Sequence, residues 1–192
     1  QFGGLTARLL ATSDPTLKQR AQQLLAAAIP ADRAEALARY QPALAKKGDP
    51  LAGKVLFQKN CATCHKIGSE GVNVAPDISD SRTKTHAQLL TDILQPNRAI
   101  DANYVAYNVA LENGEVVTGV LSAETATSIT LRQPGDKTLV IPRGEITMLK
   151  STGISLMPEG LERNITVDQM ADLLSFVKNW RYLDGTVPIE LK

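Results

Sequence analysis

Cysteine and histidine are scarce in this 192-residue chain, and their scarcity limits the metal and redox sites it can form. There are two of each: Cys61, Cys64, His65 and His86. A zinc site needs four ligands, so it would require both cysteines and both histidines, and no second cysteine pair exists. A thioredoxin-like redox pair would need a βαβ setting around the two cysteines.

An excess of charge of one sign and a long apolar run are also absent. Lys and Arg total 21, Asp and Glu total 20, and the formal charge of +1 gives no electrostatic footprint for nucleic acid. The longest apolar candidate, residues 24–29, is far too short to span a bilayer.

The first residues show neither an initiator methionine nor a secretory signal, so we expect a segment of a longer, processed or truncated protein. We expect no nucleic-acid partner and no membrane span in this segment.

What the chain does have is the stretch Cys61-Ala62-Thr63-Cys64-His65. Two cysteines two residues apart, followed at once by a histidine, form the attachment signature of a c-type haem. In that chemistry the thiols of Cys61 and Cys64 form thioethers with the porphyrin, and His65 binds the iron. One tight turn presents both sulfurs to one edge of the macrocycle and then brings the imidazole under the metal. The motif therefore favours one covalently bound haem c over a redox disulfide, a zinc site or a chance match.

A helix is predicted to run directly into this motif. Asp49-Pro50 combines an N-cap with a proline at the first helical position. Gly53 and Phe57 follow at a spacing of four residues. Gly53 lets another helix approach closely, and Phe57 can lie against that helix or against the haem edge. The last helix, after Thr166, has an apolar face that needs a partner, so we expect these two helices to pack together.

A loop without clear periodicity follows the motif and supplies a candidate partner for His65. Gly68, Gly71 and Pro76 mark the loop. As an alternative to an ordinary turn, a backbone carbonyl near Pro76 is predicted to accept the second N–H of His65. That bond would fix the tautomer of the imidazole and raise its basicity.

The iron also needs a ligand, or an open site, on the side opposite His65. Four side chains are candidates for the sixth ligand: Met148, Met157, Met170 and His86. Met148 lies in strand-like sequence, and Met170 falls on the apolar face of the last helix, where a core role is favoured. His86 lies in the first turn of a helix, where a polar side chain is more often solvated. Met157 precedes Pro158, which restricts it to extended geometry, so we predict Met157 as the ligand.

Helical and strand-like periods alternate along the rest of the chain. Helices are predicted from Asp14 to Pro30, over residues 32–40, and after the capping boxes at Thr85 and Thr166. Between residues 104 and 150 the apolar period becomes two, and Asn113-Gly114 is a strong hairpin turn signal. Short strands are predicted over five segments: 105–111, 115–121, 127–132, 138–141 and 146–150.

Together, these motifs resemble class I cytochrome c. The resemblance is carried by Gly53 and Phe57 before the Cys61–His65 motif, Pro76 within Ala-Pro-Asp, Met157-Pro158 and the closing aromatic helix. The longer pattern is similar to the haem-binding domains of planctomycetes and verrucomicrobia, which often end large proteins. The runs that carry this narrower likeness are Pro-Asp-Ile-Ser at residues 76–79, Leu-Gln-Pro at 94–96 and Ser-Leu-Met-Pro-Glu-Gly-Leu at 155–161. The resemblance covers about residues 49–183.

The resemblance implies a fold as well as a cofactor. The expected class is mainly α with a β insertion: a cytochrome c-like helical haem domain over residues 49–192, interrupted at residues 103–150 by a small antiparallel β-sheet or barrel. Residues 1–48 are expected to form a helical segment, either the end of a helical-repeat module or a decoration of the haem domain. Cys61, Cys64, His65 and Met157 take the haem-ligand roles, and in bacteria the location is periplasmic or otherwise extracytoplasmic.

Three functions remain open from the sequence. The first is an electron carrier, not an enzyme, whose redox partner is a fused or separate dehydrogenase, another cytochrome or a terminal acceptor. The second is a haem enzyme or a gas or ligand sensor with an openable distal side, for which His86 is the remaining histidine. The third treats the strand insertion as an interaction module that docks the haem to its partner.

Overall fold

The structure, a computed structural model, describes residues 12, 14–20 and 31–183. Residues 15–20 are helical, and the Asp14 carboxylate caps them by accepting the backbone N–H groups of Thr16 and Leu17. The predicted continuation of this helix over residues 21–29 lies outside the described residues. The α-helices that follow are α1 Ala31–Tyr40, α2 Pro50–Asn60, α3 His86–Leu94 and α4 Val167–Asn179. Short 3-10 helices cover Gln41–Ala45, Ser81–Thr83, Ala102–Tyr104, Arg143–Glu145, Leu161–Asn164 and Trp180–Tyr182.

The helix starts are set by local capping, as predicted. The Asp49 carboxylate accepts a backbone N–H at the start of α2, and Pro50 occupies the first helical position. At α3 the capping box of Thr85 is closed by the side chain of Gln88. At α4 the Thr166 hydroxyl accepts the backbone N–H of Gln169, and the Gln169 side chain accepts the backbone N–H of Thr166. Each cap satisfies backbone donors that the first turn leaves unpaired.

Helix α2 packs closely against α4, the partner that the sequence predicts. A Cβ added to Gly53 would lie 2.0 Å from the backbone oxygen of Asp172, so only glycine permits this separation. One turn later Phe57 contacts Phe176, with ring centroids 5.4 Å apart and the planes tilted by 47°. This pair of helices positions the C-terminal end of α2, from which the Cys61–His65 motif continues.

The main hydrophobic core also includes the segment that precedes α2. Tyr40 and Ala43 are buried in it, and the Tyr40 hydroxyl donates to the backbone carbonyls of Glu162, at 2.6 Å, and Ile165. Arg33 on α1 forms a buried ion pair with the Glu162 carboxylate at 3.0 Å. The fully buried side chains of this core include Phe57, Ile67, Leu90, Leu94, Met170, Leu174 and Phe176.

The part of the chain between α3 and α4 forms a five-stranded antiparallel sheet. Its strands are β3 Val105–Leu111, β4 Val116–Glu124, β5 Ser128–Gln133, β6 Lys137–Pro142 and β7 Ile146–Ser155. The order is β6-β5-β4-β3-β7, so the described strands form an open sheet with β6 and β7 at its edges. A separate two-residue hairpin, β1 Lys66–Ile67 with β2 Glu70–Gly71, follows the motif. The sheet has its own small core of Val109, Ile129, Leu131 and Ile141.

The expected fold class, mainly α, is wrong. Of the described residues, 43% are helical and 26% lie in strands, and the five-stranded sheet is a major part of the architecture. The local period of two identifies each strand of this sheet and gives β3 and β5 their observed lengths, but it underestimates the lengths of β4, β6 and β7. Strand β7 continues to Ser155 because its backbone pairs with β3 as far as Val105, across a register shift. Pairing between distant segments extends the strands beyond what each segment shows alone.

Candidate functional site

The Cys61–His65 motif forms one tight turn at the end of α2. The N–H of Cys61 donates to the carbonyl of Phe57 at 2.8 Å, which continues the helix by one residue. The N–H groups of Cys64 and His65 then both donate to the carbonyl of Cys61, at 3.0 and 2.8 Å. Both cysteines are free and half-buried. The turn therefore brings two thiols and an imidazole to the same end of one helix.

Burial sets the protonation of these groups. Desolvation, with a smaller contribution from Cys64, raises the pKa of the Cys61 thiol to about 12. Desolvation also lowers the pKa of His65, against the opposing effect of its bond to the Pro76 carbonyl. Burial therefore favours the protonated thiol of Cys61 and the neutral imidazole of His65, which is the form of histidine that binds metals.

The predicted contact between His65 and the Pro76 carbonyl is present. The Nδ1 atom of His65 lies 2.8 Å from the carbonyl oxygen of Pro76. A carbonyl can only accept, so Nδ1 carries the proton and Nε2 keeps its lone pair for a metal. The backbone at Pro76 therefore determines which imidazole nitrogen can bind iron.

The loop that carries Pro76 is held by a small polar network. The Asp77 carboxylate accepts the backbone N–H of Ser79 at 2.8 Å, and the Ser79 hydroxyl accepts the N–H of Gly68 at 2.8 Å. The indole of Trp180, just beyond α4, donates to the carbonyl of Ser79 at 3.2 Å. Sequence reasoning treated this stretch as a turn and missed the network, although an Asp two residues before a Ser is a local signal for such a bond.

The β-sheet touches the motif directly. In the β5–β6 turn, the N–H of Gly135 donates to the carbonyl of Thr63, between the two cysteines, at 2.7 Å. Near the end of β5, the Arg132 guanidinium donates to the carbonyl of Asn73 in the loop after the motif. Sequence reasoning missed both contacts because a turn signal fixes the conformation of a hairpin and not what its tip contacts.

The four candidates for the sixth ligand lie in different surroundings. Met170 is fully buried in the main core, which confirms the core role predicted for it. Met148 lies on edge strand β7 with 45% of its surface exposed. His86 is half-buried in the first turn of α3, where burial and then the charge of Lys178 lower its pKa. Met157 is half-buried in the loop between β7 and the next 3-10 helix.

The described residues fit a covalently bound haem better than they fit zinc. Two free thiols on one turn and an imidazole with an available Nε2 are the donors that haem attachment requires. Among residues 12, 14–20 and 31–183, no group of three or more His, Cys, Asp or Glu side chains is placed to hold a metal ion. The zinc alternative therefore lacks a ligand set there.

Comparison with known proteins agrees with this fit. Residues 51–127 match the family model described as cytochrome c, a segment that contains the Cys61–His65 motif and ends before Met157. No curated protein matches the chain. Within the described part of the chain, none of the helices combines the length and apolar character needed to cross a bilayer. The match shows that this segment is similar to cytochrome c, and a cytochrome c domain implies covalently bound haem c.

Proposed function

We propose that this chain is a one-electron carrier with a single haem c, tethered by Cys61 and Cys64 and ligated by His65 and Met157. When bound, the haem supplies the chemistry, since its iron exchanges one electron without making or breaking bonds. The observation that carries the proposal is the contact of His65 Nδ1 with the Pro76 carbonyl, at the end of a turn that presents both thiols. This contact leaves only Nε2 for the metal.

The chain's own residues would tune the carrier in three ways. The Pro76 carbonyl raises the basicity of His65 by accepting its proton. A Met157 thioether bound to the iron would favour the ferrous state, which raises the reduction potential, and would leave no open site for oxygen or peroxide. Phe57, fully buried in the last turn of α2 and packed against Phe176, would keep water from the helix side of the attachment turn. These roles need no acid or base catalyst, which separates a carrier from a haem enzyme.

We further propose the narrower identity that the motifs favour. The runs around Pro76, Pro96 and Met157 support the proposal that the chain is similar to the planctomycete and verrucomicrobial haem-binding domains. Its redox partner would then be a fused or separate dehydrogenase, and its location would be extracytoplasmic, as is usual for bacterial cytochrome c domains. Residues 49–192 would form the haem domain, with residues 103–150 as its insertion and residues 1–48 as a preceding helical segment.

A redox titration of the haem-loaded protein tests the carrier proposal. A pyridine haemochrome spectrum of denatured protein should show one covalently retained haem per chain. Reductive titration should consume one electron per chain, and ferrous protein should stay unchanged under carbon monoxide. Rapid carbon monoxide binding by the wild type would instead favour the sensor or enzyme alternative. Loss of pigment on denaturation would refute covalent attachment.

A further inference from the structure

The side chain of Asn97 bridges the two sides of the Met157 loop. Its Oδ1 accepts the backbone N–H of Ser155 at 2.9 Å, and its Nδ2 donates to the Glu159 carboxylate at 2.7 Å. These partners lie two residues before and two residues after Met157. A single amide group thus holds both arms of the loop from across the chain.

Asn97 is well placed to act as a fixed point. It lies in a turn that Pro96 pre-sets and that is closed by a bond from the N–H of Arg98 to the carbonyl of Gln95, at 3.0 Å. The turn follows α3 directly, and Leu94, the last residue of that helix, is fully buried in the main core. Asn97 itself is half-buried. Asn97 therefore connects the loop to a turn that is anchored in the main core.

The loop has few constraints of its own. The N–H of Met157 donates to the hydroxyl of Ser155 at 3.0 Å, which is a bond within the loop. Pro158 has no N–H to donate. Downstream, Gly160 adopts a left-handed conformation with φ of 85°, and Glu162 is then held in the core by Arg33. Ser155 is also paired with Val105 of β3, so the arm of the loop before Met157 starts from the sheet. On the arm after Met157, the Asn97–Glu159 bond joins an exposed stretch of the described loop to the turn after α3.

We propose that Asn97 is a positioning residue that holds Met157 in place as an iron ligand. The inference rests on the ligation proposed above. Asparagine suits the role because its side chain offers an acceptor for the Ser155 N–H and a donor for the Glu159 carboxylate at once. Weakening this clamp lets the thioether leave the iron more often, so an external ligand competes more successfully.

The test is the apparent affinity of ferric, haem-loaded protein for imidazole, together with the weak near-infrared sulfur-to-iron band. Asn97→Ala removes two hydrogen bonds and should raise the fraction of molecules in which Met157 has left the iron by about tenfold to thirtyfold. The apparent Kd for imidazole should fall by the same factor. The band should weaken at a lower temperature than in the wild type. Glu159→Ala, at an exposed position, removes one bond and should give an intermediate change of about threefold to fivefold.

A reversed pair of donor and acceptor makes the test specific. Asn97→Asp keeps the acceptor for Ser155 but turns a carboxylate toward Glu159, so imidazole affinity should rise. Combining it with Glu159→Gln supplies a donor from the other side and should restore near wild-type values. As a matched control, Asn113→Ala removes a similar bond, from the Glu115 N–H at 2.9 Å, in the β3–β4 turn, and should leave imidazole binding unchanged.

The outcomes separate this inference from the proposed function. A wild type without the near-infrared band would refute Met157 ligation itself. A wild type with the band, in which Asn97→Ala and Glu159→Ala leave the apparent imidazole Kd within twofold, would overturn the role of Asn97 alone. Equal changes in Asn97→Ala and Asn113→Ala would also overturn it, since a general loss of stability would then explain both.

Discussion

The close approach of α2 to α4 makes Gly53→Ala a demanding test of the structure. The added Cβ would lie 2.0 Å from the Asp172 oxygen and 2.7 Å from the Phe176 Cβ, whereas comfortable contacts are about 3.5 Å. The nearest neighbour is backbone, so the helices must separate by more than about 1 Å. Overpacking of this kind costs about 1–3 kcal/mol and sometimes more, while alanine regains about 1 kcal/mol of helix propensity. Because the clash is with backbone, the upper end of this range applies, and we expect a net loss of about 2 kcal/mol in the free energy of unfolding.

Urea unfolding of the haem-loaded protein, followed by circular dichroism, measures this loss. With a slope of about 2 kcal/mol per molar, the midpoint should fall by about 1 M. Gly144→Ala is the matched control, because its Cβ would meet nothing within 4 Å and its backbone is not left-handed. The control should change stability by no more than about 0.5 kcal/mol. A midpoint for Gly53→Ala at or above the wild-type value would refute the close packing of these helices.

Three further changes probe the surroundings of the site. Arg33→Met should cost about 3–5 kcal/mol because it leaves the Glu162 carboxylate buried without its partner, and adding Glu162→Leu should recover part of that loss in urea unfolding. Arg132→Ala should shift the reduction potential by loosening the loop after the motif, whereas Arg143→Ala, in the 3-10 helix after β6, loses a surface pair with Glu124 and should leave the potential unchanged. The hydroxyl and N–H of Ser79 lower the pKa of Asp77 below its ordinary 3.8. The difference in free energy of unfolding between the wild type and Asp77→Asn should therefore have its full value above pH 3.8. It should shrink as the pH falls through the lowered pKa of Asp77. Equal acid sensitivity of the two proteins would contradict this reading.

Local signals in the sequence predicted the features that local chemistry determines. Asp49, Thr85 and Thr166 mark their helix starts because capping involves residues two or three positions apart. The Pro76 carbonyl was located because the haem motif requires a partner for His65. The spacing of Gly53 and Phe57 predicted a close helix partner, and the apolar face of α4 identified it.

The features missed depend on contacts between distant segments. The five strands were found from their alternating pattern, but their pairing and full length decide how much of the chain is sheet, and the mainly α expectation failed there. The turn at Gly135 was visible, yet its bond to Thr63 joins residues far apart in the sequence. Asn97 carries no signal of its own, because an Asn after Pro is typical of any turn.

The identity of the second axial ligand is tested most directly by the near-infrared spectrum of the ferric protein. The sulfur-to-iron band should be present in the wild type and in Met148→Ala, which removes a methionine exposed on β7. It should be absent from Met157→Ala, and ferrous Met157→Ala should be the one variant of the three that binds carbon monoxide rapidly. A band that persists in Met157→Ala would contradict the assignment of residue 157 to the iron.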